Sequence, residues 1–190
     1  RRKQRISYVF SYTLKGDALL RVRFLSMKIL ICPCADKEQS FAVLPSVINV
    51  LSKNGITSVL HDSVRGRFGD ERAVYCSSED VMKDCDMVLT IGGDGMMLKW
   101  GKKAAAAGIP LVGINTGRLG FMTAVDSSET ERLSALGKGN YTLSRRMMLD
   151  AVLSGNRGEK SFTALNDIVM YKNSRSKLPE FNVKINGITV

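Results

Sequence analysis

The chain has 190 residues, a length typical of one domain or of one domain and part of a second. Hydrophobic residues make up 44% and charged residues 24%, which is ordinary for a folded protein and excludes global disorder. No apolar run approaches the roughly 20 residues that cross a bilayer, so we expect no membrane association. A single histidine, His61, excludes metal clusters built on several histidines. The four cysteines follow no disulfide or zinc spacing, so we expect reduced thiols in a cytoplasmic protein.

The positive charge is concentrated near the start of the chain. The net charge is +10, and residues 1–26 hold seven basic and one acidic side chains, a net charge of +6. We expect 1–26 to be a basic extension of poor order, within which Tyr8–Tyr12 is compatible with a strand. The remainder is mildly positive, which suits a phosphate-rich small molecule as well as nucleic acid. Outside the extension no interleaving of aromatic and basic residues favours nucleic acid, so we expect no such partner.

From Met27 onward, apolar strands alternate with helices. Short apolar runs predict strands, and apolar residues at helical spacing predict helices. The predicted strands are Lys28–Ile31, Thr57–Leu60, Asp86–Ile91 and Pro110–Ile114, and the predicted helices are Gln39–Lys53, Val81–Asp84 and Met96–Ala107. This alternation is typical of a parallel sheet covered by helices, and we assign residues 27–139 to such an α/β domain.

The pattern changes after about Asn140. The segments Tyr141–Leu153, Phe162–Tyr171 and Glu180–Val190 predict longer strands, joined by turns rich in Gly, Asn and Ser. We therefore expect residues 140–190 to be the beginning of an all-β domain that the chain does not complete.

The strongest chemical signal is the Gly-Gly-Asp-Gly turn between a predicted strand and a predicted helix. Its glycines would let the backbone approach an anion closely, and the helix N-terminus favours phosphate. We therefore predict a phosphate-binding loop formed by Gly92, Gly93 and Gly95. Because the carboxylate of Asp94 would repel phosphate, it is a candidate general base on an attacking hydroxyl or a metal ligand. A helix N-cap is the structural alternative for this aspartate.

Two further blocks carry candidate binding residues. Asn115–Met122 follows a predicted strand, and its glycines permit a crevice of the kind that binds ligands in open α/β sheets. Phe121 is a candidate for stacking on a flat ring, with core packing as the alternative. Asn166 and Asp167 set an amide beside a carboxylate within an apolar strand, where they suit a sugar diol. A turn or bulge is the alternative for this pair.

Taken in order, these blocks and Arg146–Leu149 resemble the NAD kinase family, which uses ATP or polyphosphate. The resemblance runs from about Met27 to Val190. Gly-Gly-Asp-Gly alone also occurs in diacylglycerol and sphingosine kinases, but the second and last blocks favour the NAD kinases. The resemblance implies a Rossmann-like α/β domain followed by an all-β domain, and homodimers or homotetramers at full length. It also implies phosphoryl transfer to the 2′-hydroxyl of the adenosine ribose of NAD, with a divalent metal, usually Mg²⁺, to give NADP.

The resemblance also implies roles for individual residues. Asp94 would be the general base, and Gly95 would contact NAD through its backbone. Asn166 and Asp167 match the family's NAD-binding pair, with Asp167 in place of the commoner glutamate. Two lysines fall where the family often has basic or polar ligand contacts, Lys99 and Lys177.

Two departures from the family keep alternatives open. Met96 replaces a Thr or Ser, and a thioether does not bond phosphate as a hydroxyl does. A later Thr-Pro-Thr-Gly-Ser-Thr-Ala-Tyr block does not occur in the chain, so we expect a C-terminally truncated chain with an incomplete NAD pocket. The alternatives are a related Gly-Gly-Asp-Gly lipid kinase and an inactive nucleotide-binding fragment.

Overall fold

A computed structural model describes residues 27–77, 81–117, 120–156, 158–170 and 181–189, and the backbone of residues 6–12. One sheet contains β1 (Ile6–Tyr12), β2 (Lys28–Pro33), β3 (Thr57–His61), β4 (Ala73–Cys76), β5 (Met87–Gly92), β6 (Leu111–Asn115), β7 (Val125–Asp126) and β8 (Tyr141–Arg146). The α-helices are α1 (Glu38–Ala42), α2 (Leu44–Lys53), α3 (Asp94–Ala107) and α4 (Ser134–Gly137), with 3₁₀ turns at Asp62–Val64, Val81–Asp84 and Ser127–Leu133. Two hairpins follow, β9 (Leu149–Gly155) with β10 (Gly158–Ala164) and β11 (Lys184–Ile185) with β12 (Ile188–Thr189).

The strand order defines where a ligand can bind. Strands β4-β3-β2-β5-β6 are neighbours and parallel, and β7 adds to β6 in parallel. Next to β6, β1 is antiparallel, and β8 pairs with β1 in parallel. The chain moves outward from β2 to β4 and then returns to add β5 on the other side of β2. Open α/β sheets bind ligands at such a reversal, beyond the carboxyl ends of the strands.

The core lies on both faces of the parallel strands. All residues of β5 and β6 are buried, as a sheet covered on two sides requires. Successive strand residues point to opposite faces, so Ile31 joins one buried cluster and Leu30 joins the other. The first cluster includes the apolar face of α2. The second includes Met97 and Ala104 of α3.

The helices begin and end where local chemistry dictates. The segment predicted as one helix, Gln39–Lys53, is two helices that meet at Val43. Pro45 lies in the first turn of α2, where a missing N–H costs nothing, whereas within a longer helix it would remove a hydrogen bond. Gly108 ends α3 in the left-handed conformation, with φ of 68°, as a helix C-terminus commonly requires. At 14 residues, α3 is the longest helix that the structure describes, and none of these helices is long and apolar enough to span a membrane.

The hairpin β9–β10 has one apolar and one polar face. Its register pairs Phe162 with Ala151 and Lys160 with Leu153, so these side chains share a face. Leu153 and Phe162 remain 60% and 51% exposed. Within the described residues, no element covers this apolar face as the helices cover β5.

The predicted fold class is confirmed, since a helix-covered parallel sheet precedes antiparallel strands. Several predicted strands were too long. The segment Tyr141–Leu153 forms parts of two strands, and the strand that contains Phe162 ends at Ala164. The described part of Glu180–Val190 contains a hairpin with only two residues in each strand. The division at residues 26 and 139 stays a prediction. Residues 6–12 form β1 within the extension for which we expect poor order, and the rest of 1–26 lies outside the described residues.

Candidate functional site

The loops after β2, β5 and β6 meet at the carboxyl edge of the sheet, beside the reversal in strand order. Strands β5 and β6 pair up to Gly92 and Asn115. The backbone N–H of Cys34 donates to the carbonyl of Ile91 at 2.9 Å, which joins the loop after β2 to β5. Thr116 donates its backbone N–H and its hydroxyl to the carbonyl of Gly92, at 2.7 and 3.2 Å. Hydrogen bonds therefore hold all three loops at the end of β5.

The three glycines of the predicted phosphate loop differ in their surroundings. A Cβ on Gly92 would lie 2.8 Å from Cγ of Met96 and 3.2 Å from Cβ of Cys34, so packing requires this glycine. At Gly93 and Gly95, an added Cβ would have no described heavy atom within 4 Å, and neither residue has a positive φ. Their backbone borders open space at the start of α3, where N–H groups of the first turn lack helical acceptors. An anion can approach this backbone directly.

Asp94 is the first residue of α3, but its carboxylate is turned toward the loop after β6. Its Oδ2 accepts a hydrogen bond from the backbone N–H of Phe121 at 2.9 Å, and Oδ1 accepts one from that of Met122 at 3.1 Å. Gly93 occupies the N-cap position, so the structure does not support the N-cap alternative for Asp94. Each carboxylate oxygen has two lone pairs. The partly exposed carboxylate can therefore accept a further hydrogen bond from a ligand.

The start of the loop after β6 is shaped by a buried amide. The side chain of Asn115 is buried and bonds Gly117 twice. Its Oδ1 accepts from the Gly117 N–H at 3.2 Å, and its Nδ2 donates to the Gly117 carbonyl at 3.1 Å. Within the same block, Arg118 and Leu119 lie outside the described residues.

Three further side chains lie on the segments that form this edge of the sheet. Phe121 is fully exposed, so its predicted alternative of core packing is wrong. Lys99 is exposed on α3. Lys37 was not among the predicted site residues, but its Nζ lies 4.0 Å from the position of a Cβ on Gly117. Its only sequence signal is its place just after the first strand of a parallel sheet, where ligand-binding loops occur.

The second predicted group lies beyond β10. Asn166 and Asp167 are exposed and follow the end of this strand at Ala164, so their expected place within a strand is wrong. Leu165 packs against the buried cluster that contains Met97, which brings the end of β10 to α3. Lys177, the remaining predicted site residue, lies outside the described residues.

The cysteines are reduced and poorly reactive where they are buried. Cys32, Cys34, Cys76 and Cys85 are free thiols. Burial raises the pKa of Cys32 far above its usual range, and the neighbouring Cys85 adds to this effect. Burial, with Asp86 nearby, raises the pKa of Cys85 to about 11. Both thiols therefore stay protonated at neutral pH and are poor nucleophiles.

The described residues contain no group of three or more His, Cys, Asp or Glu side chains that could hold a metal ion by themselves. This does not conflict with the expected Mg²⁺, which is usually held by one or two carboxylates together with substrate phosphates and water. Asp94 provides one carboxylate beside the open glycine backbone, so the local chemistry fits an ion that arrives with a phosphate ligand.

The fold is that of an α/β protein whose Gly-Gly-Asp-Gly turn lies at a topological switch point, where open sheets bind ligands. The model of the ATP-NAD kinase N-terminal domain matches residues 29–141, more than half of the chain. The chain therefore belongs to the NAD kinase family, which confirms the resemblance found in its sequence blocks.

Curated relatives agree with this assignment. An NAD kinase of Natranaerobius thermophilus is 35% identical over 158 residues, which cover 82% of this chain and 54% of the relative. An NAD kinase of Aromatoleum aromaticum is 42% identical over 115 residues, 58% of this chain and 38% of the relative. The chain thus spans about half the length of the first of these, and less of the second.

Among solved structures, yeast NADH kinase complexed with NADH has a similar fold. The TM-score is 0.61 with 16% sequence identity, over 76% of this chain and 45% of that chain. At this identity, the similarity shows the fold alone.

Proposed function

We propose that the chain carries the catalytic part of an NAD kinase, which phosphorylates the 2′-hydroxyl of the adenosine ribose of NAD to give NADP. One observation carries the proposal. The carboxylate of Asp94 is held at the switch point by two backbone hydrogen bonds, next to glycines whose backbone is open. Family membership supplies the choice of reaction.

Asp94 is the proposed general base. A ribose hydroxyl is a weak acid, and a positioned carboxylate that accepts its proton contributes about 10²–10⁴-fold to the rate. The lone pairs not used by Phe121 and Met122 N–H groups are available for this hydrogen bond. Phosphoryl transfer otherwise depends on positioning and charge neutralisation, for which the site needs no nucleophilic side chain.

The phosphoryl donor, ATP or polyphosphate, is proposed to lie over Gly93 and Gly95. The open backbone and the N-terminus of α3 supply N–H donors and partial positive charge. Lys37, near Gly117, supplies positive charge at this edge, and a lysine acts on phosphate as a point charge. Lys99, exposed on α3, keeps the NAD-binding role that the resemblance implies. A bound Mg²⁺ would neutralise phosphate charge, and the carboxylate of Asp94 would be one of its ligands.

NAD is proposed to bind across the same edge. The fully exposed ring of Phe121 suits stacking on a flat base, and Gly95 offers a backbone contact. Asn166 and Asp167 are free of the sheet and exposed, as a pair that bonds ribose hydroxyls must be. Lys177 keeps the ligand-binding role that the resemblance implies.

We also propose a cytoplasmic protein that forms homodimers or homotetramers at full length, with no nucleic-acid or membrane partner. The free thiols fit a reducing compartment. The exposed apolar face of β9–β10 fits coverage by further protein.

The direct test of the proposed function compares NAD with diacylglycerol as the phosphoryl acceptor. The chain, and a longer form of the protein if residues follow Val190, are incubated with Mg²⁺ and ATP or polyphosphate, and with either NAD or diacylglycerol. We expect NADP in a coupled dehydrogenase assay and no phosphorylated lipid. Phosphorylated lipid without NADP would support the lipid kinase alternative. Calorimetric binding of NAD without turnover in either form would support the nucleotide-binding fragment.

A further inference from the structure

The two hydrogen bonds to Asp94 fix its side chain from outside its own helix. Each carboxylate oxygen receives a separate N–H, one from Phe121 at 2.9 Å and one from Met122 at 3.1 Å. The partners lie 27 and 28 residues away along the chain, in the loop after β6. An aspartate side chain without such contacts would exchange between rotamers, so this pair of donors selects one orientation.

The pair of donors also selects the chemical type of the side chain. A carboxylate presents an acceptor to both N–H groups, whereas an amide must turn its own NH₂ toward one of them. A donor that faces another donor makes no hydrogen bond, and the bond from Met122 is partly buried, where its loss is costly. The loop amides therefore favour aspartate over asparagine at position 94.

This arrangement depends on the absence of a side chain at Gly120. A Cβ at Gly120 would overlap Oδ1 of Asp94 and would lie 2.8 Å from its Cγ and 3.1 Å from its Oδ2. Real Cβ atoms do not approach other atoms this closely, and these are the nearest heavy atoms. The φ of Gly120 is not in the left-handed region, so backbone conformation does not require glycine here. Glycine is required because the carboxylate of Asp94 occupies the space that a side chain would need.

We propose that Gly120 is a positioning residue for Asp94, because its missing side chain lets the carboxylate dock on the backbone N–H groups of Phe121 and Met122. Its part in the reaction rests on the proposed function of Asp94 as the general base. The docking itself is a property of the folded chain and is measurable without turnover.

A double-mutant cycle on amide hydrogen exchange tests the docking. Four proteins are compared: the unaltered chain, Gly120→Ala, Asp94→Ala and the double variant. In each, NMR measures the exchange rates of the backbone amides of Phe121 and Met122. We expect roughly 10-fold faster exchange in each single variant, as for the loss of one hydrogen bond, and no further increase in the double variant. Gly69→Ala adds the same methyl to a loop glycine with open space around it and should change neither amide.

Two exchange results would overturn the docking. One is unchanged exchange in Gly120→Ala. The other is that Gly120→Ala accelerates amide exchange equally in the presence and absence of the Asp94 carboxylate. The glycine would then stabilise the loop independently of Asp94.

Kinetics of the form that makes NADP test the positioning role. We expect Gly120→Ala to lower kcat at least 10-fold with a KM for NAD within twofold, because the base is displaced while the NAD contacts remain. The positioning role would be overturned if the exchange rates show that Gly120 and Asp94 act together but the kcat of Gly120→Ala is undiminished. If the unaltered protein makes no NADP, the proposed function fails, while the exchange cycle still decides whether Gly120 admits the carboxylate.

Discussion

The α/β region and the β9–β10 hairpin use apolar residues in opposite ways. Every residue of β5 is buried, because helices cover both faces of the parallel strands. No residue of β9 or β10 is fully buried, although Leu153 and Phe162 share one face. The α/β region therefore closes its own core, whereas the hairpin has an apolar face that no described element covers.

This difference divides the proposed site. Asp94 begins α3, and its partners Phe121 and Met122 lie in the loop that follows the fully buried strand β6. These packed elements provide the precise positioning that a base requires. Asn166 and Asp167 follow an exposed strand, and only Leu165 beside them packs against the core. The proposed phosphoryl transfer therefore belongs to the α/β region, and part of the proposed NAD binding belongs to the segment that follows the β9–β10 hairpin.

The largest expected difference between the two regions is in the cost of losing a leucine. Leu89 is fully buried in β5, whereas Leu153 is 60% exposed. We expect Leu89→Ala to lower the free energy of unfolding by about 2–5 kcal/mol, and Leu153→Ala by about 0.5 kcal/mol or less. Urea denaturation of both variants measures this difference. Equal losses would mean that the hairpin face is covered in solution and would break the comparison.

A matched pair of glycines gives the next largest effect. A Cβ on Gly113 in β6 would lie 2.5 Å from Sδ of Met97, whereas one on Gly155 in β9 would meet open space. We expect Gly113→Ala to cost about 1–3 kcal/mol through overpacking, and Gly155→Ala to stay within about 0.5 kcal/mol. Thermal unfolding measures both. A neutral Gly113→Ala would show that the side chain of Met97 or helix α3 can shift away from β6 without cost.

The smallest expected effect concerns the two faces of the hairpin. Phe162 lies on the apolar face, and Val152 lies on the opposite face and is 62% exposed. We expect Phe162→Ser to reduce binding of a hydrophobic dye or self-association, because it removes the largest apolar group of that face. Val152→Ser serves as the control and should change less. Fluorescence titration and light scattering provide the measurements, and equal effects would contradict the assignment of faces.

Much of the α/β fold could be predicted from the sequence, because its signals are local. Continuous apolar runs such as that in β5 predict doubly covered strands, and Gly108 marks a helix end. The edge strand β4 was missed, since its Val74 is 52% exposed and the strand lacks a buried run. The break at Val43 could not be predicted from the apolar residues, because their helical spacing continues from Phe41 to Leu51 across it.

The candidate site could be predicted only in part. Gly-Gly-Asp-Gly at a strand–helix junction indicates a phosphate loop, since backbone freedom and helix N–H groups are local properties. The contacts of Asp94 with Phe121 and Met122, and the need for Gly120, join segments more than 25 residues apart. No local pattern reports such a contact. The place of Lys37 near Gly117 likewise depends on the strand order.

The central claim is that the carboxylate of Asp94 takes the proton of the NAD ribose hydroxyl, and the most direct test compares NADP formation before and after Asp94→Asn. The matched control is Asp126→Asn, at another carboxylate of the same sheet that accepts a backbone N–H, that of Ser128. We predict a loss of about 10²–10⁴-fold in kcat for Asp94→Asn in a protein that still folds, and little change for Asp126→Asn. Near-normal turnover in Asp94→Asn would contradict the account.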